Sequence, residues 1–281
     1  MNGPIVVGFD GSPESLAATE WATREAGRRG LPLELLQAWP WPTRDVVGSD
    51  EVYRHSREQL AAREAELRAA RPGLPVTSAH LRGEPAEALG HAAESATLLA
   101  LGSRGLGPVH GFLIGSVSQE VLGRAACPVV LVRAGEGGPD GPVLVGLDLA
   151  RPADKVLAFA FEAAARRSAP LRIVHVWSPP AGSEYLASDA VGGWEGELSS
   201  VERSRLSEVL EPWRSRYPRV EVAADLVRGK AAVVLVEAAS TARLVVLGRR
   251  LRRKPLGAHL GPVAHAAIHH VRCPVAVVPH S

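Results

Sequence analysis

Cysteine is scarce in this chain of 281 residues: only Cys127 and Cys273 occur, each ahead of proline and an apolar run ("ACPVVLV", "RCPVAVV"). Two thiols without a local spacing partner exclude a disulfide framework and a zinc ribbon, and both are expected as buried core thiols. Lysine is almost missing too, with Lys155, Lys230 and Lys254 set against 29 arginines. Residues 1–154 hold none, so a mechanism that needs a lysine on phosphate or in a Schiff base cannot run from that half alone. There is no "GxxxxGK[ST]" P-loop, no "GxSxG" elbow and no "HExxH" pair. No apolar run approaches the ~18–20 residues that span a bilayer. The start, "MNGPIVVGFD", has neither a basic n-region nor a long apolar core, so no signal peptide is expected and the cytoplasm is the default location. Charge of one sign is also lacking. A net charge of +2 with 22% charged residues offers no field for nucleic acid or acidic lipid, and 46% hydrophobic residues is ordinary for a globular protein.

What the chain does have is one unit written twice. "IVVGFDGS" (5–12) recurs as "VLVGLDLA" (143–150), which pairs Asp10 with Asp148 at an offset of 138. The same offset lays "LELLQAWPWP" (33–42) on "LRIVHVWSPP" (171–180), Trp39 on Trp177. Further along the offset becomes 146: Gly83 meets Gly229, Gly102 meets Gly248, Gly115 meets Gly261 and Cys127 meets Cys273. The second copy therefore carries eight extra residues between 178 and 217. The Gly-rich, acidic stretch "AGEGGPDG" (134–141) reads as a joint, giving domains at 1–134 and 142–281 with a linker at 135–141.

Within the first copy, short apolar runs of strand length alternate with helical patterns. The runs are 5–9, 33–39, 76–81, 98–101 and 129–132; the helical stretches are 15–29, roughly 50–70, 85–95 and 116–124. That alternation predicts a parallel sheet with helices on both faces, in two α/β lobes. Pro212 is expected to break or kink the second long helix of copy two. Each copy ends in an apolar strand flanked by proline. Pairing these two terminal strands about a pseudo-twofold axis would cover both edges.

The crossing from Gly102 to Ser118, "GSRGLGPVHGFLIGSVS", is the most informative segment. It opens directly after the run "LLAL", so it leaves the C-terminal end of a strand, where α/β sheets hold ligands. Gly102, Gly105, Gly107 and Gly111 let backbone bend and approach a ligand closely. Gly115-Ser116 then starts a helix, whose free N–H groups and partial positive charge form a phosphate seat, with Ser116 and Ser118 adding hydroxyls. The spacing Gly-x2-Gly-x9-Gly-Ser between strand and helix favours anion binding over a plain helix cap.

That spacing, with "VVGFDGS" at the start and "GEPAEAL" before the fourth strand, resembles the ATP-binding branch of the universal stress protein family, over essentially the whole chain. The resemblance implies a Rossmann-like, five-stranded parallel sheet of order 3-2-1-4-5 in each lobe, with a nucleotide between strands one and four. By carry-over, Gly8, Asp10 and Gly11 lie near the adenosine and the backbone at Ala38 lines the adenine. Gly102, Arg104, Gly105, Gly115, Ser116, Val117 and Ser118 surround the phosphates. The implied ligand is ATP, with magnesium where the triphosphate brings it, and a homodimer of whole chains is compatible with the pattern. Asp10 also has a plainer reading, as the turn former of an Asp-Gly-Ser corner. Trp39 and Trp177 are read as packing under loops.

The second copy keeps the frame and changes its chemistry. Asp148, Val176, Gly248 and Gly261 remain as a weaker second site. Leu251 replaces Gly105, Pro262 replaces Ser116 and Ala264 replaces Ser118, which removes an open approach and two hydroxyls. The cations Arg249, Arg250, Arg252, Arg253 and Lys254 offer partial compensation or simply a solvated loop. His265 and His269, four apart beside His270, lack a third ligand, so a surface or packing role is favoured and no metal is expected. Two functions follow: a nucleotide-binding stress or regulatory module whose ligand state selects partners, or a slow ATP-hydrolysing or nucleotidyl- or phosphoryl-transferring enzyme. Lobe one offers Asp10 and Arg104 and no better base, which favours binding.

Overall fold

The computed structural model describes residues 3–39, 49–103, 115–135, 140–178, 188–251 and 260–280. The first copy runs β1 (Ile5–Gly8), α1 (Pro13–Arg29), β2 (Leu33–Trp39), α2 (Ser49–Ala70), β3 (Val76–Arg82), α3 (Pro85–Ser95), β4 (Leu98–Ser103), α4 (Ser116–Arg124) and β5 (Val129–Arg133). The second runs β6 (Val143–Leu147), α5 (Asp154–Arg167), β7 (Leu171–Trp177), α6 (Ser188–Arg216), β8 (Val222–Arg228), α7 (Ala231–Ala238), β9 (Leu244–Arg250), α8 (Pro262–His270) and β10 (Val275–His280).

Within each copy the strands are parallel, in the order β3-β2-β1-β4-β5 and its counterpart β8-β7-β6-β9-β10. The expected α/β fold with helices on both faces is what the chain adopts. Alternate strand residues feed two apolar layers. Ile5 and Val7 pack towards α1 and α2, and Val6 and Leu99 towards α3 and α4. β5 and β10 lie antiparallel, Leu131 opposite Val275 and Val129 opposite Val277, so the described strands form one ten-stranded sheet.

Three local differences from the sequence pattern have physical causes. α1 starts at Pro13, two residues early, because the Ser12 hydroxyl caps the amide of Ser15 at 3.2 Å and proline suits the first turn. β4 continues to Ser103 because Gly102 and Ser103 pair with Val132 and Arg133 of β5. α6 neither ends at Pro212 nor stops before it, but runs on to Arg216. Pro212 and Glu208, whose carbonyl the proline cannot bond, are both exposed, so water satisfies what the helix cannot. At 29 residues against 22 for α2, α6 also absorbs seven of the eight extra residues.

Candidate functional site

In lobe one the strands that flank the reversal of order, β1 and β4, lie side by side, Val7 opposite Ala100. Just past β1, one carboxylate oxygen of Asp10 accepts the Ser12 N–H at 3.0 Å and the Ser12 hydroxyl at 2.5 Å. Gly11 turns this corner with φ +78°, a value that disfavours any side chain. The exposed aspartate is therefore held by a turn at the mouth of the crevice, so the turn-forming reading of Asp10 describes real contacts. At the end of β4, a Cβ on Gly102 would stand 2.7 Å from the carbonyl carbon of Glu14, so the first turn of α1 lies directly on it. From the other side the buried Ser118 hydroxyl donates to the Gly102 carbonyl at 3.3 Å. β1, α1 and α4 thus converge on one point of β4.

The first backbone bond of α4 runs from Gln119 to the Gly115 carbonyl, which leaves the amides of Ser116, Val117 and Ser118 without helical acceptors. Ser116 is exposed, and with Val117 it borders a shallow hollow of about 340 Å³ beside Glu84, Glu87 and Glu120. Three carboxylates against the one guanidinium of Arg124 give that hollow the wrong charge for phosphate, and Asp10 is not part of it. Arg104, Gly105, Gly107 and Gly111 lie outside the described residues, as do Arg252, Arg253 and Lys254. Gly8 closes β1 against Leu101 and Leu89, a packing position. Ala38 sits half-buried at the end of β2, and its neighbour Trp39 packs on Tyr53 and His80, ring centroids 6.1 and 6.4 Å away.

In lobe two the structure gathers all four expected residues, Asp148, Val176, Gly248 and Gly261, around one hollow of about 510 Å³. One Asp148 oxygen accepts the Ala150 N–H at 3.0 Å and the other meets Arg151 Nε at 3.0 Å. Ala150 stands where Ser12 stands in lobe one and cannot cap. α5 accordingly begins at Asp154, one turn later than its counterpart, with no side-chain cap. The place that Glu14 and Ser15 fill against Gly102 is taken at Gly248 by the imidazole of His280, 2.9 Å from where a Cβ would stand. β10 reaches one residue further than β5 to deliver it, and the His280 carbonyl takes the Leu251 N–H at 2.8 Å.

Arg249 does not join a phosphate-facing cluster. It is buried, and its guanidinium crosses to lobe one, donating to the carbonyls of Gly123, at 3.0 Å, and Ala125 at the end of α4. Burial, partly offset by Cys127, pulls its pKa below the usual arginine range. In the opposite direction Arg133 of β5 donates to the Ile268 carbonyl near the end of α8 at 2.7 Å.

The frame, the duplication and the crevice position agree with one family. The universal stress protein family model matches residues 1–133 and again 141–279. The chain belongs to the universal stress protein family. Its relatives share the tandem layout: universal stress proteins Rv2005c and Rv2623 of Mycobacterium tuberculosis are each 33% identical, over 99% of this chain and 97% and 96% of their own length. Among solved structures, a universal stress protein from Archaeoglobus fulgidus superposes with a TM-score of 0.78 at 20% identity, covering 99% of this chain and 98% of that one. That likeness concerns the fold.

Sequence reasoning missed His280, Arg133 and Arg249 as partners of these helices and hollows. The repeat carries one faint signal, since the 146 offset sets His280 opposite Ala134, a change of chemistry at the end of the last strand. His265 and His269 lie with ring centroids 4.3 Å apart and planes tilted by 40°, and burial together with the neighbouring His269 and His270 lowers the His265 pKa. No cluster of three potential metal ligands occurs among the described residues. Both cysteines are buried thiols outside any disulfide, and burial pushes the Cys127 thiol up to about 11.

Proposed function

We propose that the chain is an adenine-nucleotide-binding regulatory module that holds ATP in lobe one, in the crevice between β1 and β4. The supporting observation is the convergence on Gly102. The Asp10 turn, the first turn of α1 and the Ser118 hydroxyl of α4 meet where strand order reverses, the usual ligand position of an open α/β sheet. In this reading Asp10 faces the ribose, and the backbone at Ala38 borders the base. The free amides at the start of α4 take phosphate on the Gly102 side, away from Glu84 and Glu87. Gly8, Gly11, Gly105, Gly115 and Val117 shape the approach, Arg104 screens charge, and Mg²⁺ arrives with the triphosphate. The hollow at the equivalent place in lobe two supports this placement, because the same frame there encloses a volume of ligand size. The β5–β10 ladder holds both lobes within one body, so ligand state in one lobe is presented beside the other.

Calorimetric titration of the full chain tests the reading. One tight ATP site per chain is expected. Giving lobe one the residues of lobe two, with Gly105→Leu and Ser116→Pro together, removes contacts to a charged group worth about 3–6 kcal/mol, a loss of roughly a hundredfold to ten-thousandfold in affinity. Absence of ATP binding by the unaltered chain defeats the proposal. Product analysis after incubation addresses the catalytic alternative, which needs turnover above about one per minute, already far below typical enzymes.

A further inference from the structure

We infer that His265 and His269 of α8 form a two-imidazole site for a divalent transition-metal ion, Cu²⁺ ahead of Ni²⁺ and Zn²⁺. The inference is independent of the nucleotide reading, since neither histidine lines the hollow described in either lobe. Its starting point is the meeting of the two rings. Side chains four positions apart on a helix stand one above the other on the same face. His265 and His269 do so with ring centroids 4.3 Å apart and planes tilted by 40°. Two imidazoles bound at right angles to one ion, each about 2.0 Å from it through nitrogen, hold their centroids roughly 4.5 Å apart. The rings therefore already stand at the separation a chelate needs, and closing it takes only small rotations about soft side-chain torsions. Among the chain's ten histidines this is the only pair four apart, and no pair is three apart.

The surroundings suit a metal cation. His265 is exposed and His269 half-buried, so an ion reaches the pair from solvent and keeps water in its other positions. His269 lies in the last turn of α8, the carbonyl end, where the helix dipole favours positive charge. The helix itself is anchored. Ala264, Ala267 and Ile268 are buried in the core, and Arg133 of the other copy holds the Ile268 carbonyl at 2.7 Å. The two ligands are thus fixed by the fold before any ion arrives. A third protein ligand is what a closed structural zinc site requires, whereas a bidentate site with open positions does without it. Ligation by imidazole alone selects against Mg²⁺ and Ca²⁺, which take oxygen, and among transition ions the affinity order peaks at Cu²⁺. The repeat supplies an internal contrast: at the 146 offset α4 carries Gln119 and Gly123, so lobe one lacks the chelate.

Calorimetric titration of the full chain, without an affinity tag or nucleotide, with CuCl₂ in a non-coordinating buffer tests this assignment. One Cu²⁺ per chain is expected, bound more tightly than Ni²⁺ or Zn²⁺ in parallel titrations. Electron paramagnetic resonance of the Cu²⁺-loaded chain should show coupling to two imidazole nitrogens. His265→Gln and His269→Gln should each weaken Cu²⁺ by about tenfold or more, because a chelate becomes a single ligand. His270→Gln is the control: it lies beside the pair but about 100° round the helix from His269, so affinity should change by less than about threefold. Circular dichroism melting confirms that each variant is folded, and the exposed His265 supplies a substitution outside the core. The inference is overturned if the chain binds no Cu²⁺, if two chains share one ion, or if folded His265→Gln binds Cu²⁺ as the unaltered chain does. A loss from His270→Gln equal to that from His265→Gln overturns it as well. Each of these outcomes leaves the nucleotide reading standing, and failure of ATP to bind leaves the metal site standing.

Discussion

At the scale of single residues, Gly102 and Gly248 show how one conserved frame hosts two environments. Both close a strand, but one presses on backbone and the other on a side chain. Gly102→Ala sets a Cβ 2.7 Å from the Glu14 carbonyl carbon and 2.8 Å from the Ser15 nitrogen, atoms that move only if α1 moves. It should cost about 1–3 kcal/mol, read as a melting temperature several degrees lower. Gly248→Ala meets the His280 ring at 2.9 Å and a Val156 methyl at 3.2 Å, side-chain atoms that shift more cheaply than backbone, so the drop should be smaller. Equal losses from both substitutions would contradict this account. The glycines of the motif were legible in the sequence because spacing survives without a fold. The reason Gly102 must be glycine was not, because Glu14 lies 88 positions away and meets it only after the sheet forms.

At the scale of elements, caps and neighbours decide where helices begin and what their ends touch. The Ser12 cap and its absence at Ala150 account for the later start of α5. Because Ala150 stands at the repeat position of Ser12 and cannot cap, the shorter helix is legible in the repeat itself. The crossed arginines were not readable. Arg249 neutralises the carbonyl end of α4 and Arg133 that of α8, the favourable end of each helix dipole for a cation. Arg249→Gln leaves the Gly123 and Ala125 carbonyls short of a charged donor and is expected to destabilise by about 2–4 kcal/mol in urea titration. The comparison is Arg124→Gln, which removes only an exposed pair with Glu120 at 2.9 Å and should stay within about 0.5 kcal/mol. Since α4 carries the proposed phosphate seat at its other end, Arg249→Gln is a positional test of whether lobe two steadies lobe one.

At the scale of the whole molecule, the two copies meet along the β5–β10 ladder and again between α1 and α5. There Glu25, fully buried, binds Arg29 of its own helix and Arg167 of the other copy, each at 2.6 Å. Arg29 and Arg167 are equivalent by the 138 offset, so one carboxylate serves a pair of pseudo-symmetric guanidiniums. Burial pushes the Glu25 pKa up, but Arg167 and Arg29 outweigh it and hold the carboxyl below its ordinary value of 4.5. A depressed carboxyl pKa contributes stability that is present above the unfolded value and lost as pH falls through the folded one. The denaturation midpoint should therefore decline as the solution is taken below about pH 4.5. Glu25→Gln leaves buried Arg167 without its carboxylate and Arg29 with Glu162 alone, at 3.5 Å, and should cost about 3–5 kcal/mol at neutral pH, with a flatter acid limb. An acid limb as steep in the variant as in the unaltered chain would assign the acid sensitivity to other carboxylates.

The sequence by itself determined the duplication, the alternation of strand and helix, the order of elements and the glycine spacing between β4 and α4. All of these depend on periodicity and composition within short windows, where side-chain alternation and turn chemistry act locally. Only the tertiary structure decided that Arg249 and Arg133 cross between copies, that Glu25 sits between two related arginines, and that His280 fills the place of a missing helical turn. Apart from the Glu25–Arg29 pair within α1, these contacts join residues from 32 positions apart, for Gly248 and His280, to 142, for Glu25 and Arg167, and no local pattern records them. Folding creates such meetings because burying apolar surface brings distant elements together, and the polar groups caught between them then take whichever partner lies within reach.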